Sequence, residues 1–98
     1  MNTYIYILKL IDRLNEDTAW TEEDESLVTA HFNRLKDNYD KGIVIHAGRT
    51  EETGNGGFGI VIFKGGNDEM AMEFMKGDPA VSGGIMTAEV RRYRAVLI

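Results

Sequence analysis

Hydrophobic positions along this chain change between two periods, and the changes predict its elements. Short runs rich in β-branched and aromatic residues, which favour strands, alternate with two stretches where apolar residues recur at helical spacing. The predicted strands are residues 3–11, 43–47, 58–64 and 85–96, and the predicted helices are residues 21–41 and 68–76. The order is therefore βαββαβ, and the connections 12–20, 48–57 and 78–84 are interpreted as loops.

The first helix has the clearest start and stop signals. Thr21 is a residue type that caps helix N-termini, and Asp24 follows it at capping-box spacing. Gly42 stands where a helix ends. The residues expected on its inward stripe are Leu27, Val28, His31, Phe32, Leu35 and Tyr39.

This order predicts an α+β, ferredoxin-like fold with a four-stranded antiparallel sheet and both helices on one face. The predicted strands TYIYILKLI and FGIVIFK are apolar on both faces, without a clean polar alternation. A strand that is buried on both sides requires a second layer over the open face. A second copy of the chain is the simplest such layer, so we expect a homodimer in which two sheets pack face to face.

Composition narrows the class of protein. Ninety-eight residues predict a single domain spanning residues 1–98, and 43% hydrophobic residues are enough for a core. The absence of cysteine excludes a disulfide scaffold and a thiolate zinc site. No apolar run approaches the ~20 residues of a membrane span, and the N-terminus does not resemble a signal peptide. We therefore expect a cytoplasmic protein that binds no membrane.

Charge argues against nucleic acid as a partner. The formal net charge is −5, and an acidic surface repels phosphate backbones. Residues 12–25 contain seven acids and one arginine, a run that is interpreted as a solvated loop leading into the helix.

Few residues could carry chemistry. His31 lies on the apolar stripe of the first helix, and Asp78 directly precedes Pro79, which favours extended backbone at the aspartate. The fold permits a His31–Asp78 contact, although a histidine in such a stripe is commonly structural. With two histidines and no cysteine, no metal site is expected. Arg49, after the second strand, is a candidate to bind a substrate carboxylate, and Phe58 is a candidate pocket rim; a solvent-facing arginine and a ligand-free hairpin are the alternatives.

An ordered set of motifs resembles the YciI-like (YCII-related) family over residues 25–97. The set comprises a helix histidine, a later glycine, an Ala-Gly-Arg turn, an Asp-Pro pair and a Glu-Val-Arg-x-Tyr ending. In this chain these are His31, Gly42, Ala47-Gly48-Arg49, Asp78-Pro79 and Glu89-Val90-Arg91 with Tyr93. The chain departs from the family in its acidic insert before the helix and in Arg92 after Arg91.

The resemblance implies a dimeric α+β barrel with His31 and Asp78 as the catalytic pair. That barrel is similar to muconolactone isomerase, and a chloromuconolactone dehalogenase belongs to the same family. The resemblance thus implies an isomerase, lyase or dehalogenase that acts without a cofactor on a small organic acid or lactone. Asp78 would orient His31, which would transfer a proton.

Two other classes share this topology. A non-catalytic dimeric module that senses a ligand would use His31 only to support its cleft. An RNA-recognition motif has the same element order, and it would require Tyr6, Phe58 and Phe63 to be exposed on the sheet for base stacking. In this chain, Ile60 stands where that motif has a stacking aromatic.

Overall fold

The computed structural model describes residues 2–52 and 54–97, and it has the predicted α+β, ferredoxin-like fold. Its strands are β1 (Thr3–Leu10), β2 (Val44–Arg49), β3 (Gly59–Lys64) and β4 (Met86–Arg92). Its α-helices are α1 (Glu22–Asp40), α2 (Asp68–Lys76) and α3 (Pro79–Ser82). Short 3₁₀ turns cover Asp12–Asn15, Asp17–Ala19 and Gly54–Gly56.

The four strands form one antiparallel sheet in the order β2-β3-β1-β4. β1 is central, and its Tyr6 lies opposite Val61 of β3 and Val90 of β4. Strand β2 is an edge strand with an irregular register between Val44 and His46. This arrangement places β1 in the middle of the sheet, where α1 and α2 can contact the side chains on one of its faces.

The two faces of the sheet have different environments. Tyr4, Tyr6 and Leu8 alternate along β1 towards the helices and are buried in the main core. That core also contains Val44, Val61 and Phe63 from the other strands and Leu35, Ala71 and Met75 from the helices. The opposite face presents the half-buried Ile5, Ile7, Ile60 and Ile62, which pair across β1 and β3. The prediction of strands that are apolar on both faces is confirmed.

Helix α1 begins as predicted but does not bury its whole predicted stripe. Thr21 accepts a hydrogen bond from the Asp24 amide, and Asp24 bonds back to the Thr21 amide, which completes a capping box. Gly42 adopts a φ of 80°, a left-handed conformation that favours glycine. The inward assignment of Phe32 and Tyr39 is wrong, since both are largely exposed. These two residues lie on the flank of the apolar stripe, beyond the width that the sheet covers.

The segment between β1 and α1 is folded more tightly than a solvated loop. Leu14 is buried in a second cluster with Ala80 and Ile85, and Trp20 donates its indole N–H to the Leu14 carbonyl. Asp24, which belongs to the acidic run, is also buried. The interpretation of residues 12–25 as wholly solvated is therefore wrong. The buried Leu14 side chain and the Arg13–Asp24 ion pair both hold this segment against the rest of the protein.

Other boundaries also differ from the sequence-based prediction. Strand β2 covers Val44–Arg49 rather than residues 43–47, so Gly48 and Arg49 belong to the strand and not to the loop after it. The connection 78–84 contains the short helix α3, because Asp78 caps a turn that begins with Pro79. The last strand covers Met86–Arg92 rather than residues 85–96, and Val96 and Leu97 beyond it are exposed.

Candidate functional site

Asp78 lies where the second helix passes into the third. Gly77 ends α2, Asp78 is the N-cap of α3, and Pro79 takes the first helical position. The Asp78 side chain accepts a hydrogen bond from the Ala80 amide at 2.9 Å. Its exposed fraction is 0%, so the carboxylate is aimed into the protein rather than towards solvent. A buried carboxylate requires partners for both oxygens.

The structure brings His31 to this carboxylate from the middle of α1. The His31 Nδ1 atom lies 2.7 Å from Asp78 Oδ1 and 2.8 Å from Oδ2. The contact that the fold permits is thus present, 47 residues apart in sequence. The His31 side chain is 13% exposed, which places the ring at the boundary between core and solvent.

Tyr6 is a third member of the site, although its sequence position does not mark it as one. Its hydroxyl donates a hydrogen bond to Asp78 Oδ2 at 2.7 Å, from a ring that is fully buried in β1. A signal was available, since a tyrosine in a strand predicted to be buried needs a partner for its hydroxyl. That partner could not be identified without knowing which strand lies under α3.

The hydrogen bonds around Asp78 determine its charge. Burial by itself raises the pKa of the Asp78 carboxyl, but hydrogen bonds from His31 and Tyr6 outweigh burial, and its pKa is lowered overall. Burial and the neighbouring Asp78 carboxylate raise the pKa of the Tyr6 hydroxyl, so it stays protonated as a donor. Asp78 is therefore an anion that is surrounded by donors.

This charge fixes the tautomer of His31. An ionised carboxylate only accepts hydrogen bonds, so Nδ1 must carry a proton. Nε2 makes no hydrogen bond to the described residues and is not among their buried unpartnered atoms, so it reaches the surface. In the neutral ring, Nε2 presents its lone pair outward. In this arrangement His31 can act as a base through Nε2, and Asp78 is the group that orients it.

Arg49 and Phe58, the candidate substrate contacts, lie together but apart from the histidine. They line an open cavity of about 270 Å³ with His46, Gly48, Thr50 and Ile60. Ile60 belongs to the sheet face that the helices do not cover, whereas His31 and Asp78 meet on the helix side. Within one chain, the structure does not bring these two residues to the His31–Asp78 pair.

Another cavity, of about 440 Å³, lies between the end of β1 and the loop that joins β2 to β3. Its lining includes Lys9, Asp12, Asn15, Asn55 and Thr87.

Among the described residues, no group of three or more His, Cys, Asp or Glu side chains is arranged to hold a metal ion. No helix in the described ranges is long and apolar enough to cross a membrane. The cytoplasmic location stays a prediction.

The stacking surface that an RNA-recognition motif requires is not formed by these aromatics. Tyr6 and Phe63 are fully buried under the helices, where their rings meet edge to face at 5.6 Å. Phe58 is the exposed member of the three. The burial of Tyr6 and Phe63 counts against the RNA-recognition motif, which the shared element order had left open.

The fold and site together define a ferredoxin-like α+β domain with a buried aspartate–histidine pair between its helices. A family model described as the YCII-related domain matches residues 5–94. The chain belongs to this family, as its motifs indicate. No curated protein matches the chain in a sequence comparison.

Proposed function

We propose that this YCII-related protein is a small-molecule enzyme in which His31 and Asp78 perform acid–base chemistry. The observation that carries the proposal is the pairing of His31 Nδ1 with a fully buried carboxylate, while Nε2 makes no hydrogen bond to the described residues and is not among their buried unpartnered atoms. A histidine held in one tautomer by an anion is prepared to accept and return a proton.

In the proposed reaction, Nε2 of neutral His31 removes a proton from a carbon next to a carbonyl group. The ring becomes an imidazolium, and the Asp78 carboxylate stabilises it through the short Nδ1 hydrogen bonds. His31 then returns the proton to another carbon of the substrate, which isomerises it. Alternatively a leaving group departs as an anion and the imidazolium releases its proton to solvent, which makes the net reaction an elimination. Both outcomes suit a small organic acid or lactone and require no cofactor.

Arg49 and Phe58 remain proposed ligand contacts, in the cavity on the uncovered sheet face. Arg49 is a residue type that binds a carboxylate with two parallel hydrogen bonds. The Phe58 ring is 43% exposed and offers an apolar surface beside it. In a dimer this cavity would lie near the second copy, so its final shape depends on assembly.

We also propose that the chain forms a homodimer through its uncovered sheet face. Ile5, Ile7, Ile60 and Ile62 form an apolar patch there, bordered by the ion pair of Glu89 and Arg91. An apolar patch on a sheet is more stable when a second protein layer covers it than when it is exposed to water. Ile62→Lys should give a monomer by light scattering after size exclusion, whereas Phe32→Lys, on the exposed flank of α1, should not. A monomeric wild-type protein would refute the dimer.

The proposed chemistry is tested by deuterium exchange in D₂O. Muconolactone and other unsaturated γ-lactones are incubated with the protein, and deuterium incorporation next to the carbonyl is followed by NMR. His31→Gln should lower the exchange rate by about 10²-fold or more, the usual contribution of a positioned base. Lys36→Gln is the control, since Lys36 is an exposed residue of the same helix, and it should keep the wild-type rate.

Equal rates in wild type and His31→Gln would refute His31 as the base. Binding of these lactones without exchange, seen as chemical-shift changes at His31, would refute catalysis on this class and favour the ligand-sensing module.

A further inference from the structure

A fourth residue, Arg34, lies behind the His31–Asp78 pair. It follows His31 by one turn of α1, so the two side chains project from the same face of the helix. Its Nη2 donates a hydrogen bond of 2.8 Å to the carbonyl of Phe74 in the last turn of α2. Its guanidinium also lies over the Phe74 ring, 4.3 Å from the centroid. These contacts fix a permanent cation in the core side of the site.

The chain leaves room for this guanidinium at the residue before Asp78. A Cβ atom on Gly77 would lie 3.0 Å from Arg34 Nη2, closer than ordinary packing allows. Phe74 itself stacks on Phe63 at 4.6 Å, so the surface under the guanidinium is rigid. Arg34 is thus held against the corner from which Asp78 projects.

One nitrogen of Arg34 takes no part in its contacts with Phe74. Nη1 is the only buried side-chain nitrogen or oxygen without a hydrogen-bond partner among the described residues. Buried donors are normally paired, so one that is left unpaired calls for an explanation. The Tyr6 ring lies edge-on to Phe74 at 6.3 Å, and its hydroxyl bonds to Asp78, the residue after the Gly77 against which Arg34 packs, so Arg34 and Tyr6 meet at one corner of the fold. Burial and Asp78 raise the pKa of Tyr6, and Arg34 opposes them.

We propose that Arg34 is a positioning residue for the His31–Asp78 pair and acts through Tyr6. Its charge draws electron density towards the Tyr6 oxygen, which strengthens the hydrogen bond that this hydroxyl donates to Asp78. The aspartate then stays ionised while His31 gains and loses its proton. This inference rests on the proposed function, but the hydrogen bonding that it describes is a property of the protein without substrate.

The test compares two Arg34 variants with a control variant in the last turn of α2, the turn that Arg34 contacts. Arg34→Met keeps a long side chain over Phe74 without charge, and Arg34→Lys keeps the charge without the planar fork. Lys76→Met removes the exposed cation in the last turn of α2, outside the site. NMR records the His31 Nδ1 proton at about pH 7 and the titration of the Asp78 carboxyl carbon, whose carboxylate faces His31, Tyr6 and the Ala80 amide.

Arg34→Met should move the Asp78 titration to higher pH and shift the His31 Nδ1 proton upfield, and Arg34→Lys should restore most of both changes. Lys76→Met should change neither. In the Tyr6→Phe background, Arg34→Met should have little further effect, because the hydroxyl that transmits the charge is gone.

A variant that only loses thermal stability, with both NMR signals as in wild type, would overturn the proposal and leave Arg34 as a clamp between helices. Equal effects of Arg34→Met with and without the Tyr6 hydroxyl would also overturn it, since Arg34 would then act directly. Both readouts are taken without substrate, so they fail or succeed independently of the deuterium-exchange experiment.

Discussion

Asp24 and Asp78 are the two buried charged side chains of residues 2–52 and 54–97, and both stand at the start of a helix. Their exposed fractions are 3% and 0%. A buried carboxylate is costly unless it is paired and hydrogen-bonded. The two aspartates meet this requirement with different kinds of partner, and the partners separate a structural pair from a candidate site.

Asp24 is paired with a cation that does not titrate. Arg13 donates two hydrogen bonds to its oxygens, at 2.8 and 2.9 Å, and the Thr21 amide and hydroxyl donate two more at 2.9 Å. The Arg13 bonds, followed by those of Thr21, lower the pKa of the Asp24 carboxyl. Because arginine stays protonated, this arrangement has one state, and it fixes the acidic segment to the start of α1.

Asp78 is paired instead with an imidazole, which can exchange protons, and with a phenol that stays protonated. Its pKa is lowered by its hydrogen bonds although burial opposes this, and the imidazole has an atom open to solvent. The comparison teaches that burial of a carboxylate does not by itself mark a site. What marks the site is a titratable partner with one face outside the protein.

The largest effect is expected from Asp78→Ala. The Tyr6 hydroxyl and His31 Nδ1 would lose their shared acceptor, and α3 would lose its cap. Breaking such a buried arrangement costs about 3–5 kcal/mol of unfolding free energy. Urea unfolding at about pH 7 measures the loss.

Asp78→Asn is the matched variant, since it keeps the volume and one acceptor oxygen, and its loss should be smaller. Asp24→Ala should also cost less than Asp78→Ala, because the freed Arg13 side chain is 46% exposed and returns to water. If Asp24→Ala proved the more damaging change, the distinction between the two aspartates would be wrong.

A smaller effect is expected from Tyr6→Phe, which removes one donor from Asp78. A hydrogen bond to a charged group contributes about 1.5–3 kcal/mol, so the unfolding free energy should fall by roughly that amount. The pKa of Asp78 should rise, because the Tyr6 hydrogen bond lowers it in the wild-type protein.

Tyr4→Phe is the control, since Tyr4 is also buried in β1 and donates to an aspartate, Asp68, at 2.8 Å. Asp68 is exposed and retains two hydrogen bonds from Arg92, so the loss there should be less than for Tyr6. Equal losses for the two tyrosines would show that the burial of Asp78 adds nothing to its hydrogen bonds.

Most of the fold could be predicted from local patterns. The strand pattern of β1 and β3, the Thr21–Asp24 capping box and the stop at Gly42 are short-range features, and each has a direct sequence signal. The errors at Phe32 and Tyr39 have a different origin. Periodicity gives the direction of a helix face, but only the packed sheet determines how wide the covered stripe is.

The candidate site was only partly predictable, for a related reason. His31 and Asp78 stand out by residue type and by their motif positions, and the fold order permits their contact. Tyr6 and Arg34 join them through the register of β1 under α3 and the corner at Gly77, which no local pattern specifies. The interpretation of Asp24 as solvated is wrong because nothing in a run of acidic residues indicates which one of them is buried.

The smallest of the expected effects is a change in pH dependence for Asp24→Asn. The folded pKa of Asp24 lies below its unfolded value, so the contribution of this carboxylate is present above about pH 4 and is lost as pH falls through the folded pKa. Wild type should therefore be more stable than Asp24→Asn at about pH 7, and the difference should narrow below about pH 4. Urea unfolding of both proteins across this range measures it. Asp17→Asn is the control, since Asp17 is exposed and its carboxylate bonds to none of the described residues, and its difference from wild type should not follow this course. A difference for Asp24→Asn that stays constant into acid would mean that Arg13 does not hold this carboxylate in its charged form.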